Sequence, residues 1–297
     1  MKDFFKKYPA LIIFIGVGVL ITVIFVFYEI MYNTQNKEKQ SQYDDLNKSA
    51  WITEMGEEES EEVSAEDLER AENEAKMKAF LDSVDDPDFY KKQLRSRPNF
   101  DAYWEINKDV IGYVLIPDSR IEYPILRNES KRDYYLKRNL DGSTGYPGCI
   151  FVENINGSDF RDPVTVSYGH NMANGTMYGQ LHEFYRNAEF RDAHKYVFVY
   201  QPEGVSLYEI IATTSYSDEH LLADDFKKEG EGFLFTGVKP DDQVNVMNHL
   251  KEYGDKRAYF KEGEEVTEDD RLFVMATCSS NRIRVIVVGK LLFTHLY

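Results

Sequence analysis

Cys278 ends the apolar run 271–278, "RLFVMATC"; a polar knot follows, and a second apolar run, 282–293, "RIRVIVVGKLLF", begins at once. Two such runs read as an antiparallel hairpin with a thiol at its mouth. A three-residue loop of Ser280, Asn281 and Arg282, with Asn281 left-handed, would set Ser279 opposite Ile283 and Cys278 opposite Arg284. A two-residue loop would break that pairing. Directly opposed residues hold their Cβ atoms about 4.5–5.5 Å apart, which brings the Arg284 guanidinium beside the sulfur. Arg282 falls at the loop tip, in water. A thiol attacks as its thiolate, and a neighbouring cation favours that form. Arginine also carries several donors suited to an oxyanion developing on a substrate carbonyl.

Such chemistry needs a proton carrier. The chain has six histidines, His170, His182, His194, His220, His249 and His295. His170 follows the strand-like run "PVTVSY" in "SYGHNMANGTMYG", and strand ends hold reactive groups on a rigid base while leaving them open to substrate. His249 falls on a helical pattern as a packed neighbour of the core, and His182, His194 and His220, in polar surroundings, are expected at the surface. A lone histidine is more often structural than catalytic, so the residues by themselves leave the role of His170 open.

The elements that must position these groups are mainly β. From residue 110 onward, eight strand-like runs separated by turn residues predict an antiparallel sandwich or barrel. A helix interrupts them around "DDQVNVMNHLKEYG", with Gly254 placed to stop it, and "GTMYGQLHEFYR" is a weaker helical pattern. Before them, apolar residues at helical spacing predict a helix over about 65–83, and a short helix in "NFDAYWEINKDV" is entered at Pro98. No glycine-rich phosphate loop and no Cys/His cluster of metal type is present, so neither a cofactor nor a metal is expected.

The rest of the chain speaks to location. Residues 9–28 form an uncharged apolar run after Lys2, Lys6 and Lys7. Such a run spans roughly 30 Å as a helix, the thickness of a bilayer's hydrocarbon core. It predicts a single-pass anchor in the cell membrane: residues 1–8 stay in the cytoplasm by the positive-inside bias, and the remainder is extracellular. Residues 29–98 read as a polar, acidic and partly helical stalk, and residues 99–297 as the domain that carries the thiol. A formal charge of −17 argues against a nucleic-acid partner. The two cysteines of an exported chain could pair, but Cys149, in "GYPGCIFVE", has the setting of a small buried residue, and two free thiols are expected.

In their order and wide separation these segments resemble the sortases, the cysteine transpeptidases of Gram-positive cell surfaces. "VMATCSS" is similar to that family's Thr-Leu-x-Thr-Cys strand end, "SYGHNM" to its histidine turn and "RIRVIVVGKLL" to its arginine strand. The likeness covers roughly residues 99–297. "INKDVIGYVLIPDSRIEYPILR", "YYLKRNLDG", "GCIFVEN" and "YGHNMANGTMYGQLHEF" resemble landmarks of class B. The resemblance implies an eight-stranded β-barrel with peripheral helices, with Cys278 as nucleophile, His170 as acid/base, Arg284 as stabiliser of the substrate carbonyl and Thr277 as part of a substrate-facing wall. It implies as partners exported surface proteins bearing a C-terminal sorting signal of the Leu/Asn-Pro-x-Thr type and an amine acceptor, a peptidoglycan precursor or a pilin lysine. Two departures stand out. The motif here is Val274-Met275-Ala276-Thr277-Cys278, and only five residues separate Cys278 from Arg284, fewer than class B members usually show. The competing reading is a membrane-tethered β-barrel binding module whose thiol merely packs.

Overall fold

The computed structural model describes residues 9–49, 51–53, 65–226, 235–280 and 282–297, with the backbone alone for residues 9–20, 48, 49, 52, 53, 65, 225 and 278–280. The strands, in chain order, are β1 Trp51–Thr53, β2 Ser96–Pro98, β3 Val110–Leu115, β4 Glu122–Arg127, β5 Ile150–Val152, β6 Val164–Tyr168, β7 Tyr196–Gln201, β8 Gly204–Ser217, β9 Tyr259–Phe260, β10 Leu272–Ser280 and β11 Ile283–Leu296. Every one of the eight expected runs is a strand. Their order is β11-β10-β6-β5-β4-β3-β7-β8, and a further pairing of β11 with β8 closes the ring of eight, leaving β9 on the outside edge of β8. Pairing is antiparallel except between β10 and β6 and between β4 and β5. Closure removes exposed strand edges, and helices cover the outer face, so the central strands are apolar on both faces. Leu272, Phe273, Val274, Met275 and Ala276 are all buried in succession.

The helix Asp242–Tyr253 sets Val246, Met247 and Leu250 into a cluster with Val164, Val166, Val274, Ile286 and Val288. It stops where expected, with the Gly254 N–H returning to the Leu250 carbonyl at 2.9 Å. The short helices Phe100–Ile106 and Leu181–Arg186 also fall on the expected segments.

By its contacts the chain divides into two units, Met1–Asp44 and Asp45–Tyr297. The helix Pro9–Ser49 continues well past Tyr28, through polar residues that hold the helix with contacts one turn apart, such as Gln40 Nε2 to Asp44 Oδ1 at 2.9 Å. Among the described residues no helix is long and apolar enough to cross a membrane, so the span expected over 9–28 draws no support here; the side chains of 9–20 lie outside the described residues.

The second unit takes in much of the segment expected as stalk. Asn47 accepts hydrogen bonds from the hydroxyls of Tyr103 and Tyr113 at 2.8 and 2.6 Å, and Trp51 stands edge-on to Tyr113 and Tyr200. The helix Ala65–Ser83 forms over the expected residues but lies against the barrel, because Phe80 inserts among Tyr90, Tyr196 and Phe293 with ring centroids 5.0–5.6 Å apart. A further helix, Pro87–Arg95, is started by Asp86, whose carboxylate accepts the Phe89 N–H at 3.0 Å. Most of the acidic run, residues 54–64, lies outside the described residues.

Candidate active site at the barrel mouth

The parallel pairing of β10 with β6 decides the site. It sends the C-terminal ends of both strands to one rim of the barrel, with Ala276 opposite Tyr168. The Gly169 N–H then donates to the Ala276 carbonyl at 3.2 Å, and the Thr277 hydroxyl donates to the Gly169 carbonyl at 2.8 Å. The paired register ends at Tyr168, and His170 follows Gly169 just as Cys278 follows Thr277, the two residues that this hydrogen bond ties together. A glycine is required at the turn: a Cβ on Gly169 would lie 2.4 Å from Ile150 Cδ1 and 2.9 Å from the Tyr178 ring.

On the other side of β10, the hairpin pairs Cys278 with Arg284 as expected, but by a different route. Ser280, not Ser279, faces Ile283, and the register shifts between Cys278 and Ser280. The extra residue is absorbed as a β-bulge, so a connection shorter than the expected three-residue loop still leaves thiol and guanidinium positions opposed. Arg282 is exposed at the tip and carries φ +66°, while Asn281, where a left-handed residue was expected, lies outside the described residues. Arg284 is half-buried and lies between Cys278 on β10 and Tyr216 on β8.

His170 is half-buried, its ring tilted against Tyr146 with centroids 4.8 Å apart. Nε2 lies 2.6 Å from the Leu136 carbonyl. A carbonyl only accepts, so Nε2 carries the proton and Nδ1 is the nitrogen left to gain or give one. Burial pushes the imidazole pKa below its ordinary value, opposed by the Leu136 bond and aided by Lys137. The loop beyond is braced: the Tyr178 N–H donates to the His170 carbonyl at 3.1 Å, the Tyr178 hydroxyl meets Ser167 Oγ at 2.9 Å, and Ser167 donates to the Val274 carbonyl at 3.0 Å.

Thr277 is buried, with its hydroxyl committed to Gly169. Cys149 is a buried thiol donating to the Arg138 carbonyl at 3.2 Å. His249 is half-buried as expected, with Nε2 near the Tyr216 hydroxyl and Glu219. His182 and His220, expected at the surface, are buried at 6% and 8% exposure, because tertiary partners supply what polar neighbours in sequence only suggested. Among the described residues no cluster of three or more His, Cys, Asp or Glu could hold a metal.

Sequence reasoning passed over Tyr168 and Glu153. Tyr168 sits two residues before His170, on the same face by strand alternation, which was the available signal. Burial holds its phenol well above the ordinary pKa, with Glu153 adding and the nearby Arg284 and Arg132 opposing. The rim therefore gathers a thiol position, an imidazole and a guanidinium, the groups that acyl transfer through a thioester calls for, with the half-buried Tyr168 beside them.

No family model matches the chain. Sortase B of Listeria monocytogenes is 28% identical over 191 residues, 63% of this chain and 71% of the relative, and sortase B of Staphylococcus aureus is 24% identical over 212 residues, 68% and 78%. The solved sortase B of Clostridium perfringens is 25% identical with a TM-score of 0.52, covering 65% of this chain and 98% of the other. Eight barrel strands in the sortase arrangement, together with relatives that align over most of the chain, support a class B sortase, a cysteine transpeptidase.

Proposed function

We propose that Cys278 is the nucleophile, His170 the acid/base and Arg284 the stabiliser of the substrate carbonyl in a two-step acyl transfer. The Cys278 thiolate attacks the carbonyl carbon of the threonine in a Leu-Pro-x-Thr or Asn-Pro-x-Thr sorting motif. Arg284 donates to the developing oxyanion, and His170, protonated at Nδ1, gives that proton to the departing amine as the C–N bond breaks. An acceptor amine, on a peptidoglycan precursor or a lysine side chain, then attacks the thioester and returns a proton to His170. An amide forms and the thiolate leaves. Thr277 lies at the edge of the peptide groove. The observation that carries this reading is the three-strand register: Cys278 opposite Arg284 on one side, and the His170 turn tied to the cysteine strand through Gly169 on the other.

Residues 9–28 anchor the chain in the membrane with residues 1–8 in the cytoplasm, which places the barrel where exported substrates and lipid-linked acceptors meet. The lysines before the run and the exposed apolar side chains from Ile21 to Met31 support this. Protease added outside intact cells should then degrade the barrel.

Sorting-motif peptides incubated with candidate amines test the chemistry. Cys278→Ala and His170→Ala should abolish both cleavage and transfer, and Arg284→Lys should lower kcat/KM by about 10²-fold or more. Near-normal turnover in Cys278→Ala would end the enzyme reading.

A further inference from the structure

In a chain of net charge −17, residues 131–146 carry four cations and only two carboxylates. Arg132 is committed to Glu153, its Nε 3.5 Å from Oε1, and the Asp141 carboxylate turns onto Ser143, accepting from its N–H at 3.0 Å and its hydroxyl at 2.6 Å. Lys131, Lys137 and Arg138 form no ion pair among the described residues. Two of the three share one ring: Lys131 Nζ lies 5.9 Å and the Arg138 guanidinium 4.7 Å from the centroid of Tyr134. Tyr134 stands edge-on to the buried Tyr135 at 5.0 Å, and the Tyr135 hydroxyl donates to Asp109 Oδ2 at 2.6 Å, so the ring is a fixed platform. Attraction to a ring face orders a cation without cancelling its charge.

The topology sets these charges beside the imidazole. β6 lies between β10 and β5, and β5 runs antiparallel to β6 with Phe151 opposite Tyr168, so the chain entering β5 reaches the rim at which β6 ends. That chain touches His170 twice, through the Leu136 carbonyl at Nε2 and through the Tyr146 ring. Lys137 follows Leu136, and its carbonyl accepts the Gly145 N–H at 2.9 Å, which closes the loop on itself next to His170. Across the rim the order is therefore Arg284, Cys278, His170 and then the cations. Acid–base chemistry turns this order into a direction. One imidazole gives its proton to the departing amine and takes one from the incoming amine, so the two amines occupy the same place in turn. With Arg284 on the far side of Cys278, the amine meets the thioester from the His170 side, and the rest of the acceptor runs over the loop 131–146.

We propose that Lys131, Lys137 and Arg138 select the acceptor, binding amines that carry carboxylates within a residue or two of the nucleophilic nitrogen. This rests on the acyl-transfer reading and adds the chemical class of its second substrate. The overall field of so acidic a chain repels such an acceptor, so a preference for one has to come from charges close to the site.

The test uses the full chain, a sorting-motif peptide with neutral residues after the threonine, and two acceptors of nearly equal shape, Gly-Glu-Glu-amide and Gly-Gln-Gln-amide. The quantity read is the ratio of their kcat/KM values for transfer, in which any effect of a variant on thioester formation or on the imidazole cancels. The unaltered protein should favour the glutamate acceptor about fivefold or more. Lys131→Gln and Lys137→Gln, both at exposed positions, should each lower the ratio by about twofold, and the two combined with Arg138→Gln should bring it to about one. Lys137→Glu should lower it further than Lys137→Gln, and about 0.5 M salt should weaken the preference of the unaltered protein. A ratio of one or less in the unaltered protein, or a preference that survives in both single variants and in the triple one, overturns the proposal. Should the unaltered protein cleave no sorting peptide, the acyl-transfer reading fails separately. Magnetic saturation transfer from the protein to Gly-Glu-Glu-amide then decides the site: a signal that the two lysine variants weaken upholds it, and no signal, or one that they leave unchanged, overturns it.

Discussion

The hydrogen bond from Thr277 to the Gly169 carbonyl is the point at which the cysteine strand holds the histidine turn, and it can be removed almost without changing shape. Thr277→Val exchanges the hydroxyl for a methyl of similar volume, so no cavity forms. The Gly169 carbonyl, buried and 2.8 Å from its donor, is left without that partner. Leaving a buried acceptor unsatisfied costs about 1–3 kcal/mol. For a folded unit of this size each kcal/mol lowers Tm by roughly 2–4 °C, so the expected drop is about 2–12 °C. His170 is the next residue, and a turn released by about an ångström can cost roughly 10²-fold in rate. The valine variant should therefore lose about 10–100-fold in kcat/KM with a sorting peptide. Thr277→Ser keeps the hydroxyl and gives up one methyl, about 0.8 kcal/mol, and should retain most of the activity despite a lower Tm. Thermal unfolding followed by circular dichroism, set beside peptide cleavage, separates the two. A valine variant with unchanged Tm and kcat/KM would refute the idea that this bond fixes the turn.

Three further outcomes are expected. Burial depresses the imidazole pKa values of both His170 and His295, so the unfolded chain binds more protons than the folded one between those depressed values and about 6.5. Their contribution is therefore fully present above about pH 6.5 and is lost as pH falls below it; urea unfolding across that range should show the slope, and His170→Gln should reduce it. Phe80→Ala removes the ring that docks the helix Ala65–Ser83 among three aromatic rings and should cost about 3–5 kcal/mol in urea unfolding, whereas a free stalk would show almost no change. Iodoacetamide should label Cys278 in the native protein and reach Cys149, 1% exposed, only after unfolding, as mass spectrometry of the peptides would show.

The parts of the fold legible in the sequence were those written in local pattern. Each of the eight strands follows from a run of apolar residues ended by turn residues, and the helix Ala65–Ser83 from its spacing of apolar positions. The pairing of Cys278 with Arg284 was legible too, although the turn was not, because a bulge depends on how the barrel bends the strand and not on loop composition. The docking of the acidic helix escaped because it turns on a single aromatic, Phe80, in an otherwise solvated segment. His220 was expected at the surface for a related reason: its partner Glu153 lies 67 residues away, and only barrel closure brings the two together.

The wide separation of the candidate residues follows from the same closure. Antiparallel neighbours present opposite ends to a rim, so a hairpin can offer Cys278 and Arg284 together only beside its turn. The third group, on the far side of Cys278, comes from β6, which ends at the same rim as β10 because the two strands are parallel neighbours. Parallel strands need a crossover, and the chain between β6 and β10 fills it with β7, β8 and the helix Asp242–Tyr253. The distance in sequence between His170 and Cys278 is thus taken up by the chain that closes the barrel. A shorter connection could keep the three chemical groups in the sequence and still fail to bring them to one rim.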